Sequence, residues 1–174
     1  SVPHRGRFGA PDPSVDRVIH AARHGMPTIS LLTFERMVLG RNDPEVIQHE
    51  KFGFACHLLG WEPGSAPLCS APVFRDSPDG KEQVAALLPF YFYDLGQPKQ
   101  TFDHVHEYET PVAGVYRREF TKGLVLINAT DADAPDVNLG QEYFDPVEKR
   151  TVETISLPAH TGHILLFTPG SSQQ

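Results

Sequence analysis

The sequence predicts an α/β segment followed by a small antiparallel β-sandwich. Near the N-terminus an amphipathic helical pattern leads at once into a short apolar run, the signature of an α/β unit. The last third alternates short β-prone runs with turn residues, the pattern of an antiparallel sandwich. With 174 residues, 40% hydrophobic and 21% charged, the chain is long and apolar enough to bury a core. Its 14 Gly and 16 Pro exceed the roughly 12% that average usage gives the pair and predict many turns.

Residues 14–24 form the first predicted helix. Ser14 is a suitable N-cap, and Val15, Val18, Ile19 and Ala22 fall on one face. Gly25 stands where a helix C′ residue belongs. Residues 28–33 are apolar and suit a buried strand. Asp43-Pro44-Glu45 starts a second helix: Asp43 caps, Pro44 fits the first position, and Glu45 complements the dipole. Ile47, Phe54 and Leu58 fall near one side, and Gly60 ends it. Residues 61–80 are rich in Pro and Gly and predict a long loop. Residues 79–88 suit a third helix stopped by Pro89. Phe90-Tyr91-Phe92-Tyr93 is an aromatic run suited to packing.

Across residues 101–113 the character changes, dividing the chain into 1–105, the α/β segment, and 106–174, the sandwich. Residues 115–120 and 124–128 flank Thr121-Lys122-Gly123, a hairpin that places Gly123 in the left-handed slot. Further short strands are predicted over 136–139, 141–144, 151–157 and 163–167.

The motifs of this region resemble a family. Val115-Tyr116-Arg117-Arg118-Glu119-Phe120-Thr121-Lys122-Gly123-Leu124-Val125-Leu126-Ile127-Asn128 is similar to the R-R-[ED]-F-x-x-G-x-V-x-x-N hairpin of glycoside hydrolases in which a (β/α)₈ barrel precedes a small β-sandwich. Leu157-Pro158-Ala159-His160-Thr161-Gly162-His163-Ile164-Leu165-Leu166 resembles the last strand of such sandwiches. Lys51-Phe52-Gly53-Phe54-Ala55-Cys56-His57-Leu58-Leu59 resembles a late barrel helix, and Tyr93-Asp94-Leu95-Gly96-Gln97-Pro98 resembles the segment leading out of the barrel. The resemblance implies that 1–105 is partial-barrel-like and that the protein is a fragment or truncated relative of such an enzyme. Its implied partner is carbohydrate and its implied reaction, if catalytic, is glycosidic hydrolysis. A complete barrel needs about 250 residues, so most barrel strands are absent, and the family motifs supply no catalytic pair.

Glycoside hydrolysis uses two carboxylates, about 5–5.5 Å apart in retaining and about 6.5–9.5 Å apart in inverting enzymes. Glu35, just after the predicted buried strand, and Asp94 are the catalytic candidates, with Glu62 a third. Each also reads as an ordinary loop carboxylate. Trp61, Tyr91 and Tyr93 are the carbohydrate-binding candidates, because aromatic faces pack against the C–H faces of a pyranose. Core packing is the other reading of the two tyrosines. Arg117 and Arg118 alternate on one strand, so one faces inward, where it can hold a carboxylate between the two units.

His104 and His106 share a face if their segment is extended, and two imidazoles so placed can bind a divalent metal, with His160 or His163 as a third ligand. The alternative is a solvated linker. No other cofactor is implied. A non-catalytic carbohydrate-binding module and a small His-dependent metal-binding β protein are the competing functional readings.

The formal net charge of −7 argues against nucleic acid and anionic membrane as partners. No apolar run approaches the roughly 18 residues of a membrane span. Cys56 and Cys69 read as independent thiols or as one bridge. Asn128-Ala129-Thr130 is a glycosylation sequon. The chain begins Ser1-Val2-Pro3, which fits a removed leader, and then a secreted or periplasmic location, or a cut inside a longer protein. A half-barrel exposes strand edges and apolar faces. The reading therefore predicts a homodimer, a missing upstream barrel portion, or an α/β part rearranged into a compact layer.

Overall fold

A computed structural model describes residues 12–26, 33–34, 44–63, 73–74, 83–84 and 88–168. They form two helices, a small three-stranded sheet and a five-stranded antiparallel sheet.

Helix α1, Asp12–Arg23, buries Val15, Val18 and Ile19, the face the periodicity indicates. It starts two residues before Ser14, which lies inside the first turn rather than capping it. Gly25 has φ +63°. The Met26 N–H donates to the Ala21 carbonyl at 2.8 Å and that of Gly25 to Ala22 at 3.1 Å, a Schellman stop. Helix α2, Pro44–Gly60, has the predicted limits. It is buried almost all round its second half, because α1 packs on one side and the large sheet on the other. A Cβ at Gly60 would lie 2.8 Å from Val18 Cγ1, so the α1–α2 crossing requires glycine there.

Strands β1 (Thr33–Phe34), β2 (Val73–Phe74) and β3 (Gln83–Val84) make the small sheet, β1 parallel to β2 and β2 antiparallel to β3. The third helix expected over 79–88 is corrected at Gln83 and Val84, which pair with Phe74 and Val73. Strand pairing outweighs local helix propensity there. Strand residues 28–32, the Asp43 cap and Cys69 lie outside the described residues.

The large sheet contains β4 (Val115–Glu119), β5 (Gly123–Asn128), β6 (Ala134–Asp145), β7 (Arg150–Leu157) and β8 (Thr161–Phe167), in the order β4-β5-β8-β6-β7. Two sequence expectations change here. Residues 136–139 and 141–144 belong to one strand, β6, in which Gly140 at φ +80° allows a bulge. Arg117 Nη1 donates to the Leu139 carbonyl in that bulge at 2.9 Å. Gly123 is not left-handed. It opens β5 as a glycine because a Cβ there would lie 2.4 Å from the Leu165 carbonyl oxygen.

The predicted sandwich is thus one curled sheet with both faces covered. Strand β6 pairs with β8 only through Tyr143 and Phe144, and the rest of the β6–β7 ribbon leaves that line. Leu124, Leu126 and Leu165 pack with Val137, Leu139, Tyr143, Val152 and Ile155 of the ribbon. Val125, Ile127 and Ile164 pack on the opposite face with Phe52, Ala55 and Leu59 of α2. This second core joins residues from both sides of position 105.

Asn128 is fully buried, and its amide donates to the carbonyls of Ala132, Leu157 and Pro158 at 2.8–3.1 Å. The sequon is therefore a structural hydrogen-bond hub with no room for a glycan. Cys56 forms no disulfide. Burial pushes its thiol up to about 12, which removes it as a nucleophile at neutral pH. Among the described residues no helix is long and apolar enough to cross a membrane.

Candidate functional site

Four of the residues singled out in the sequence meet at one cavity of about 250 Å³: Trp61, Tyr91, Tyr93 and Asp94. Phe54, Leu58, Leu95 and Phe120 give it apolar walls, and His57 contributes an imidazole. The cavity lies where the end of α2, the 3₁₀ turn Pro89–Phe92 and the β4–β5 hairpin come together.

Two devices hold these pieces in place. Arg118 is 0% exposed and reaches from β4 to the end of α2. Its Nη1 donates to the carbonyls of Leu58, Leu59 and Trp61 at 3.0, 2.9 and 2.5 Å. Its Nη2 donates to Glu62 Oε1 at 2.6 Å and to Gln100 O at 3.0 Å. A cation on the last carbonyls of a helix offsets its dipole and satisfies groups that have no partner within the helix. The guanidinium also lies over the rings of Tyr108 and Phe120, 5.3 and 5.5 Å from their centroids. The expected inward arginine holding a carboxylate between helix and sheet is Arg118 with Glu62. Glu62 is thereby a structural counter-ion, and it also accepts a bond from Thr101.

The second device clamps residues 94–97 onto the hairpin tip. The Thr121 N–H donates to Gln97 O at 2.8 Å, the Lys122 N–H to Leu95 O at 2.9 Å, and the Gln97 N–H to Thr121 Oγ1 at 2.9 Å. Gly96, at φ +72°, has no space for a Cβ, which would lie 2.1 Å from Thr121 Oγ1.

Asp94 accepts hydrogen bonds from the Lys122 ammonium and the Gly96 N–H. The Lys122 bond, helped by that backbone N–H, holds its carboxyl below the usual carboxylate value. Asp94 is therefore ionised at neutral pH, which suits an acceptor and not a general acid. Burial moves His57 below its ordinary value, so the imidazole is neutral at pH 7. Burial, reinforced by Asp145, raises the Tyr93 phenol and keeps it protonated. Tyr91 is buried with its ring 4.6 Å from those of Phe54 and Phe90, so it serves the core as well as the cavity. Trp61 is half-buried, and its indole Nε1 has no hydrogen-bond partner among the described residues. Glu35 lies outside the described residues.

The structure does not set His104 and His106 on one continuous extended strand. His104 is extended, at φ −137° and ψ 147°, but it is the N-cap of the 3₁₀ helix Val105–Tyr108, and His106 lies within that helix. Residues two apart on such a turn do not share a face. His104 and Glu107 form a capping box, and the Val105 N–H donates to Asp16 Oδ1 at 2.8 Å, pinning this turn to α1. His160 lies 2.8 Å from Asp131, and His163 lies 3.9 Å from Asp145. Among the described residues no group of three His, Cys, Asp or Glu could hold a metal ion.

Sequence reasoning did not find His57, Leu95 or Phe120 as lining residues. They come from three separate elements, and only the register that joins those elements brings them together. Lys122 was legible only as a hairpin residue. No family model matches the chain, and no curated protein or solved structure matches it significantly.

Proposed function

We propose that the chain is a carbohydrate-binding unit, a fragment or truncated relative of a barrel glycoside hydrolase, and that its sugar sits in the cavity beside Trp61. In this reading α1, α2 and the small sheet correspond to the late, partial-barrel part, and the five-stranded sheet to the sandwich behind it. An upstream barrel portion or a second copy completes the cleft. The supporting observation is the convergence of Trp61, Tyr91, Tyr93 and Asp94 on one apolar-walled cavity. Aromatic and aliphatic walls suit the C–H face of a pyranose, and an ionised carboxylate accepts from its hydroxyls.

Binding is favoured over hydrolysis because Asp94, held ionised by Lys122, could act only as the ionised member of a glycosidase pair, and no second carboxylate lines the cavity among the described residues. Calorimetry and turnover assays on a polysaccharide panel test the proposal. Binding without turnover, weakened in Trp61→Ala, is expected. Turnover lost in Asp94→Asn would favour the hydrolytic reading, and absence of binding to every polysaccharide would remove both.

A further inference from the structure

Helix α1 contributes no residue to the lining of the sugar cavity. We propose that His20 and His24 on this helix form an exchangeable site for a divalent transition-metal ion, with copper(II) bound most tightly and water completing its shell.

His20-Ala21-Ala22-Arg23-His24 spaces two histidines four residues apart, which sets them on one face of α1. This is the spacing by which a helix offers two imidazoles to zinc. Both residues are exposed, and their ring centroids lie 4.2 Å apart. Metal–imidazole bonds are about 2.0–2.1 Å long, so one ion can bridge two rings this close. His24 is already oriented for it. Its Nδ1 lies 2.8 Å from the His20 carbonyl oxygen. A carbonyl only accepts, so Nδ1 carries the proton and Nε2 keeps its lone pair. Metal-ligating histidines are held in this way, with the other ring N–H on a backbone carbonyl or a carboxylate.

The surroundings favour a cation. The two histidines line a cleft of about 520 Å³ with Asp16, Arg23, Asp103 and His104. Two carboxylates face one guanidinium there, and that guanidinium is ion-paired with Asp103. Asp16 is fixed in place by accepting the Val105 N–H at 2.8 Å. Imidazole nitrogen suits copper, nickel and zinc rather than magnesium or calcium, and copper(II) heads the divalent series. No group of three His, Cys, Asp or Glu among the described residues could hold an ion, so a metal on this pair keeps water ligands and exchanges. Ala21 stands where hydrolytic zinc helices carry their glutamate base, which restricts the pair to binding.

The test titrates the full chain, without an affinity tag, with CuCl₂, ZnCl₂ and MgCl₂ in a calorimeter, beside His20→Gln, His24→Gln and His106→Gln. Copper should bind saturably and more tightly than zinc, and magnesium should give no signal. His20→Gln and His24→Gln should each weaken copper at least about tenfold, the least that loss of a ligand costs when loss of its supporting partner already costs that much. Both residues are exposed, so the circular dichroism spectrum should not change. His106 does not line the cleft, and His106→Gln should bind as the wild type does. Electron paramagnetic resonance of the wild-type copper complex reads the ligands without any substitution, and coupling to two imidazole nitrogens is expected. Wild-type affinity in both α1 variants, an equal loss in His106→Gln, magnesium binding as tightly as copper, or a copper spectrum with oxygen ligands alone overturns the inference. None of these results bears on the sugar cavity.

Discussion

Replacing Arg118 by Met should remove a large share of the stability of the fold. Met keeps most of the length and volume of the arginine stem, so the change isolates the guanidinium. Without it the carbonyls of Leu58, Leu59 and Trp61 at the end of α2 lose their donor, and Glu62 loses a counter-ion 2.6 Å away. Both losses occur where Arg118 is 0% exposed, so water replaces little of what is removed. Breaking one side of a buried, hydrogen-bonded ion pair costs about 3–5 kcal/mol, a fifth or more of the roughly 5–15 kcal/mol that a domain possesses. With a urea m-value of about 2 kcal/mol/M, the midpoint should drop by roughly 2 M. Far-UV circular dichroism during urea unfolding measures it. Arg118→Lys should fall between wild type and Met, because a point charge cannot reproduce the fork that reaches Leu58, Trp61, Glu62 and Gln100 together. Adding Glu62→Gln to Arg118→Met should cost little more, since both remove the same interaction. A midpoint shift for Arg118→Met below about 0.5 M, equivalent to about 1 kcal/mol, would refute the view that this residue joins helix to sheet.

Two further perturbations probe the packing and the charges. Gly162→Ala places a Cβ 2.7 Å from that of Ala55 and 3.0 Å from the Lys51 carbonyl. It should lower stability by about 1–3 kcal/mol in thermal unfolding, and a neutral effect would show that α2 can lift from β8 freely. Burial opposes the charged form of Asp145, but the His163 bond and the N–H groups of Glu148 and Val147 outweigh it and hold the carboxyl below its ordinary value. Its contribution is therefore complete above the unfolded value, near pH 4, and is lost as pH falls through the depressed folded value. The stability gap between wild type and Asp145→Asn should be widest above about pH 5 and close in more acid solution. A gap independent of pH contradicts this.

Much of the architecture is written in local signals. The Asp43-Pro44 start and Gly60 stop bound α2, Gly25 marks the end of α1, and alternation or apolar runs locate β4, β5, β7 and β8. These signals work because caps and pleat periodicity act over a few residues. The misreadings arise where distant contacts decide. Gly123 suggests a left-handed turn, yet it is required by the Leu165 backbone passing beside it. The His104-Val105-His106 pattern suggests an extended metal pair, yet Asp16 and Glu107 hold it as a 3₁₀ turn. Of the site, the aromatic residues and Asp94 are legible as residue types suited to sugars. Their convergence is not, because it depends on Arg118 seating α2 against β4 and on the hairpin tip gripping residues 94–97.

The emission of Trp61, the chain's single tryptophan, tests the carbohydrate-binding account most directly. Titration with a neutral oligosaccharide should produce a saturable change in its intensity and wavelength as the sugar covers the indole. Emission that stays constant while the same sugar binds by calorimetry would place the sugar elsewhere and contradict the account.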